Sequence, residues 1–385
     1  MVSRRVQTVS PSQTVLLSNT VANLKAQGKK IYNFGIGEPD FTTPEPIITY
    51  SAEKAKSGMT HYTPSKGIRE LRNKIAETFT KRYSKISAEN ILVTPTKFAI
   101  NLTVMVLCDQ GDEIIIPEPY YLSYPDICRI YGVKPVFVKS NEDYSLKMDL
   151  IEEQINPRTR AILISNPCNP TGKVFSPSEI RSLNELCRKH GITFVCDIIY
   201  EDMVYKGEFL SPTKLDPELK NTVILSGFSK SFAMTGWRIG YMIASKEIID
   251  AADTFQQQTI TCAPSIAQEA AIYALEHEEL STPMIDEFRK RREIVIAEIK
   301  KIPQISLVEP EGAFYIFPRY NINVKSSELC VDILNHTGVS IIPGSVFGEQ
   351  GEYHFRLSYA AGEQELREGI GKLAEYFRTY GKDSS

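Results

Sequence analysis

No apolar run in the 385-residue sequence is long enough to span a bilayer. The basic start, Met1-Val2-Ser3-Arg4-Arg5, leads into Gln7, Thr8, Ser10 and Pro11 rather than the apolar core of a signal peptide. Histidine is scarce, five in all, and no H-E-x-x-H or comparable cluster occurs, so no metal site is expected. No G-x-G-x-x-G joins a strand to a helix, which argues against nicotinamide chemistry. The seven cysteines (Cys108, Cys128, Cys168, Cys187, Cys196, Cys262 and Cys330) form no C-x-x-C pair, and the pattern fits reduced thiols in a cytoplasmic protein. Charge of neither sign dominates: 44 Lys and Arg stand against 47 Asp and Glu, a formal net charge of −3. With no basic arm and no helix-turn-helix pattern before residue 30, neither nucleic acid nor an anionic membrane is an expected partner.

What is present is a chain that is 42% hydrophobic, ample for a sizeable core, at a length that suggests a large domain with a smaller companion. Short apolar runs at 113–116, 135–138, 161–164, 192–196 and 222–225 read as strands covered on both faces, because they are apolar throughout rather than alternating. Amphipathic helices separate them. Ser176-Pro177-Ser178-Glu179 has the form of a capping box, with Ile180, Leu183 and Leu186 at helical spacing beyond it. Ile68, Leu71, Ile75 and Phe79 mark a second helix, and Leu366, Ile370, Leu373 and Phe377 a third. Alternating strands and helices predict an α/β fold with a mostly parallel open sheet flanked by helices, over residues 45–285. After about residue 285 a long charged helix and short strands around 313–317 and 354–358 predict a smaller α+β domain, completed by residues 1–44.

Ligands of open α/β sheets bind beyond the carboxyl ends of the strands. Three of these ends carry polar groups: Ser165-Asn166-Pro167-Cys168-Asn169-Pro170-Thr171-Gly172, Asp197-Ile198-Ile199-Tyr200, and Ser226-Gly227-Phe228-Ser229-Lys230 leading to Trp237-Arg238. Singly, these have ordinary readings as a turn, a cap and a solvated lysine. Jointly they match the needs of pyridoxal phosphate: an amine for a Schiff base, a carboxylate for the pyridine nitrogen, donors for the phenolate oxygen, and cations or main-chain donors for the phosphate.

The run from Ser226 to Gly240, S-G-F-S-K-S-F-A-M-T-G-W-R-I-G, resembles the lysine signature of the class I/II pyridoxal-phosphate-dependent aminotransferases. The likeness to the aspartate aminotransferase family, fold type I, extends from Gly35-Ile-Gly-Glu-Pro-Asp-Phe41 to Phe355-Arg-Leu-Ser358. It implies that Lys230 bears the cofactor and, once freed by substrate, shuttles the α-proton; that Asp197 pairs with the pyridinium nitrogen; and that Asn169 and Tyr200 hydrogen-bond the phenolate oxygen. It further implies phosphate contacts from Arg238 and Ser229, stacking of Tyr121 on the ring, and a phosphate contact by Tyr62 across the interface of a homodimer. Arg356 corresponds to the arginine that grips the substrate α-carboxylate, and Gly37 to the glycine beside it.

One stretch departs from the family pattern. Its phosphate turn commonly carries two glycines, as in V-T-x-G-G-K, whereas here Val93-Thr94-Pro95-Thr96-Lys97 is one residue shorter. A helix N-terminus still offers N–H groups to a phosphate, with the hydroxyl of Thr96 and the neighbouring Lys97 as further candidates. The arginine that one branch uses for a distal carboxylate has no counterpart in Gln256–Pro264. Lys97 and Thr14 stand where a prokaryote-like branch places a lysine and a threonine for that role. The implied reaction is transamination of L-aspartate with 2-oxoglutarate; alanine, aromatic or aminoadipate-type donors, and a C–S lyase activity on the same framework, remain alternatives.

Overall fold

The computed structural model describes residues 13–380 together with Gln7, Val9 and Pro11, the side chains of residues 13–16 and Ser18 excepted. Helix α1 is Gln13–Ala26. The central sheet has seven strands: β1 (Ile91–Val93), β2 (Glu113–Glu118), β3 (Lys134–Lys139), β4 (Thr159–Ser165), β5 (Thr193–Asp197), β6 (Thr222–Gly227) and β7 (Gly240–Ile243), in spatial order β1-β7-β6-β5-β4-β2-β3. Only β7 runs antiparallel to its neighbours.

The unbroken apolar runs have a direct physical cause. Ile162, Ile164, Phe194, Cys196 and Ile224 enter one core, while Ala161, Leu163, Val195, Val223 and Leu225 enter another on the opposite face. Each strand side chain therefore finds apolar cover whichever way the pleat turns it. β3 departs from this expectation. It pairs only with β2 and forms the sheet edge, so Lys134, Phe137 and Lys139 are exposed. β1 and β7 were not foreseen; three and four residues are too short to show a period.

Helix α2 (Arg69–Arg82) buries Leu71, Ile75 and Phe79. Helix α3 (Thr96–Leu107) follows β1 directly, with Pro95 as its cap residue. In α4 (Pro177–His190) the capping box forms: the Glu179 N–H donates to Ser176 Oγ at 3.3 Å, and the Ser176 N–H donates to Glu179 Oε2 at 2.7 Å.

A third core gathers Phe34, Phe288, Phe314, Tyr315, Phe355 and Leu366. It brings together the N-terminal segment, helix α5 (Thr282–Ile299), helix α6 (Glu363–Thr379) and a three-stranded antiparallel sheet of β8 (Tyr315–Ile316), β9 (Ile342–Pro343) and β10 (Phe355–Ser358). The N-terminal segment is stitched to this sheet by the Ser358 N–H, which donates to the Phe34 carbonyl at 2.8 Å. Among the described residues, no helix is long and apolar enough to cross a membrane.

Candidate active site

Register fixes the floor of the site. Ser165, Asp197 and Leu225 lie side by side at the carboxyl ends of β4, β5 and β6. Beyond them opens a cavity of about 310 Å³, within the range of small-molecule sites, lined by Asn169, Asp197, Tyr200, Lys230, Arg238 and Arg356 among others. The three strand-end motifs thus converge in one place with an arginine from β10.

Asp197 is buried, with Oδ1 accepting the Ile199 N–H at 3.2 Å and Oδ2 accepting the Tyr124 hydroxyl at 3.1 Å. Burial pushes its carboxyl up to about 6, with these two hydrogen bonds and Lys230 pulling the other way. No lysine or arginine pairs with it at ion-pair distance among the described residues. A buried carboxylate whose charge lacks a partner fits a ligand that presents a cationic N–H, as a protonated pyridine does.

The Lys230 Nζ donates to the Gly37 carbonyl at 2.6 Å. Burial lowers its amine to about 8; Glu38 and Asp197 oppose that shift, while Arg356 and Arg238 add to it. A Cβ at Gly37 would stand 2.8 Å from the Tyr315 hydroxyl, so this close approach of backbone to the site admits no side chain.

Arg356, only 1% exposed, donates through Nη2 to the Gly35 carbonyl at 2.7 Å and through Nη1 to Asn169 Oδ1 at 3.1 Å. Its Nε has no partner, an orphaned donor within a buried guanidinium. The Tyr200 and Tyr315 hydroxyls share a hydrogen bond of 2.8 Å, and burial drives the Tyr200 phenol far above its ordinary value.

The cavity is also lined by Thr96, Lys97, Ser229, Thr235 and Arg238. The N–H groups of Thr96 and Lys97, first in α3, have no acceptor within the helix. The Thr96 hydroxyl is committed to the Ser226 carbonyl at 2.9 Å, seated where a Cβ on Gly227 or Gly240 would collide with it. The one proton of this hydroxyl is thus given to a strand end, and what Thr96 has left to offer a phosphate is its main-chain N–H. Arg238 is held at φ 55°, a conformation uncommon for a non-glycine residue, and donates through Nη1 to the Thr235 carbonyl at 2.8 Å. Tyr121 lines the cavity, with the Lys97 Nζ 6.0 Å from its ring centroid. Tyr62 is 88% exposed and does not line this chain's cavity. Thr14 falls in α1, where its side chain lies outside the described ones.

Sequence reasoning missed Glu38, Tyr124, Thr235 and Tyr315. Tyr124 had a usable signal, since it lies one helical turn beyond Tyr121; Tyr315, within an ordinary apolar strand, had none.

A family model described as aminotransferase class I and II matches residues 29–373. The aspartate aminotransferase of Sulfolobus acidocaldarius is 38% identical over 379 residues, 94% of each chain. The (5-formylfuran-3-yl)methyl phosphate transaminase of Methanocaldococcus jannaschii is 36% identical, over 98% of this chain and 99% of its own. Among solved structures, the aspartate aminotransferase from Thermus thermophilus with maleate superposes with a TM-score of 0.93 at 34% identity, over 97% of this chain and 99% of its own. A lysine, a carboxylate and an arginine converging beyond the carboxyl ends of these strands, with a match over nearly the whole chain, make the protein a member of the class I and II aminotransferases, an enzyme that transfers amino groups between amino acids and 2-oxo acids with pyridoxal phosphate as its cofactor.

Proposed function

We propose that the enzyme transfers the amino group of L-aspartate to 2-oxoglutarate, with the cofactor joined to Lys230. When bound, pyridoxal phosphate supplies an aldehyde carbon for the amine and a protonated ring that acts as an electron sink for the substrate α-carbon. Lys230, with an amine lowered to about 8, is an available nucleophile near neutral pH and afterwards a base for the α-proton. Asp197, as the anion, would hold the protonated ring nitrogen, Asn169 and Tyr200 would hold the ring oxygen, and Tyr121 would cover the ring. Arg238, Ser229 and the first N–H groups of α3 at Thr96 and Lys97 take the phosphate. Arg356 takes the substrate α-carboxylate, its Nη1 and Nη2 lying beside Gly37 and its Nε–H still without a partner.

The observation that carries the aspartate reading is the two cations left around the cavity once Lys230 and Arg238 serve the cofactor: Arg356 buried within it and Lys97 exposed at its rim, with Tyr121 close by. A dicarboxylate substrate answers both charges, with Thr14 as a further contact to the distal group. The names of the relatives support this choice, and one solved neighbour carries maleate, a dicarboxylate. Spectroscopic half-reactions of the holoenzyme with a panel of amino acids test it. Aspartate and glutamate should react with higher kcat/KM than alanine or tyrosine, and the reverse order sinks the assignment. Lys97→Ala should raise KM for aspartate roughly tenfold while leaving alanine unchanged; equal effects would remove Lys97 from side-chain recognition.

The reading includes a large domain of residues 45–285 and a small one of residues 1–44 and 286–385, supported by an apolar core that gathers the two terminal segments and meets the large domain at Ile199, Tyr200 and Met203. It includes a homodimer in which Tyr62 reaches the phosphate bound to a second copy, supported by the exposure of that ring. The free, mostly buried thiols support a cytoplasmic location.

A further inference from the structure

We propose that Tyr315 is a further residue of the active site, coupling the phenol that holds the cofactor's ring oxygen to the guanidinium that holds the substrate carboxylate. The inference rests on the assignment of Tyr200 and Arg356 to those two tasks and adds a physical link between them.

Tyr315 makes two contacts and closes off one glycine, each with a separate consequence. Its hydroxyl lies 2.8 Å from that of Tyr200, and among the described residues this is the only hydrogen bond either phenol makes. Each phenol has one proton to give. If Tyr200 is to donate to the ring oxygen, its proton must turn away from Tyr315, and Tyr315 must donate to the Tyr200 oxygen in return. Tyr315 is thereby left as the donor of the pair, and a donor that itself accepts a hydrogen bond is polarised into a stronger one. Burial raises the Tyr315 phenol to about 12, so it keeps its proton throughout the working range.

The second contact is through the ring. The Arg356 guanidinium carbon is 4.6 Å from the Tyr315 centroid and 5.2 Å from that of Phe347. Arginine presents a flat face to aromatic rings while its edge makes hydrogen bonds. The two rings flank the guanidinium while its N–H groups reach the Gly35 carbonyl and Asn169 Oδ1. Its hydroxyl also stands over the bare face of Gly37, where an added Cβ would come within 2.8 Å of it and where the carbonyl receives the Lys230 Nζ. One buried side chain thus meets the Tyr200 phenol and the Arg356 guanidinium, and neighbours the glycine against which the lysine rests.

Two substitutions separate these roles. Tyr315→Phe keeps the ring and removes the hydroxyl. The pH at which the bound cofactor's absorbance titrates should then rise by about half a unit to one unit, because the form with more negative charge on the ring oxygen loses part of its stabilisation. The Kd of pyridoxal phosphate for the cofactor-free enzyme should rise several-fold, while the Kd of maleate for the holoenzyme stays within about twofold of wild type. Tyr315→Leu removes the ring as well and should weaken maleate by roughly tenfold in addition. An unchanged absorbance midpoint and cofactor Kd in Tyr315→Phe would overturn the proposal, provided that Tyr200→Phe moves both. Should Tyr200→Phe and Lys230→Ala also leave the absorbance untouched, the assignment of the site itself fails and the coupling with it.

Discussion

Burial pulls the two ionisable groups at the centre of the site in opposite directions, the Lys230 amine down to about 8 and the Asp197 carboxyl up to about 6. Each shift favours the neutral form, as desolvation must. For the lysine the consequence is reactivity: at pH 8 about half of the amine is unprotonated, against under about 1% for an ordinary lysine. In the cofactor-free enzyme, an acylating reagent should modify Lys230 selectively with a midpoint near pH 8, read by peptide mass spectrometry across a pH series. A midpoint near that of surface lysines would contradict the burial argument. Lys230→Ala should abolish transamination together with the absorbance of lysine-bound cofactor. For the aspartate the consequence is charge, since only the anion can hold a protonated ring. Asp197→Asn should lower kcat by roughly a hundredfold or more while the circular dichroism spectrum stays as in wild type.

At the scale of elements, the loops that present these groups are clamped from behind. Arg82, at the end of α2, meets Asp202 and Glu278 at 2.8 Å each. Asp202 also accepts the Ser231 hydroxyl at 2.6 Å, and Glu201 accepts the Tyr83 hydroxyl at 2.6 Å and the Ser226 hydroxyl at 3.3 Å. The segment after β5, which carries Tyr200, is thereby tied to the segment around Lys230. Arg82→Met leaves two carboxylates without their cation and should destabilise the fold by about 1–3 kcal/mol in urea unfolding. Burial, with Asp202 alongside, raises Glu201 to about 7. A carboxyl held above its unfolded value favours the folded state most below that unfolded value. Its contribution is lost as pH rises through the folded one, so stability from Glu201 should decline between about pH 4.5 and 7. Glu201→Gln should flatten that decline, and an unaltered pH profile would refute the assignment.

Such contacts also explain what could be read in advance. The strands carrying Ser165, Asp197 and Ser226 were legible because burial on both faces imposes unbroken apolar runs, and α4 because a capping box is local chemistry. The residues from Ser226 to Arg238 were legible because they form one contiguous motif. β7 and Tyr315 were not, since a short strand has no period and a tyrosine in an apolar run looks like core until its partners are known. The position of the Thr96 hydroxyl depends on the bare backbone of Gly227 and Gly240, distant in sequence, and no local pattern encodes it.

The whole molecule poses a different question, because one aromatic residue is displayed almost wholly to solvent. Tyr62 is 88% exposed, yet its segment is held firmly. Gln268 Oε1 accepts the Ile68 N–H at 2.7 Å, while Nε2 donates to Thr63 Oγ1 at 2.8 Å and to the Ala263 carbonyl at 2.9 Å. The buried Gln256 donates to the Ser65 carbonyl at 2.6 Å and the Val93 carbonyl at 3.0 Å. A large ring on a fixed strap, with Phe255 and Ile260 also exposed, suits a symmetric interface in which each copy serves the other. On the proposed dimer, Tyr62→Phe should raise the cofactor Kd several-fold by removing a phosphate donor, with sedimentation still reporting a dimer. Mixing then tells whether Tyr62 acts across the interface. Lys230→Ala has no lysine for the cofactor, and Tyr62→Phe binds it weakly. A hybrid of the two contains one site with both groups intact if Tyr62 reaches across, and none if it acts within its own chain. Random reassortment of equal amounts should restore tight cofactor binding in about a quarter of all sites. No restoration after verified exchange would place Tyr62 in its own subunit's chemistry or in none.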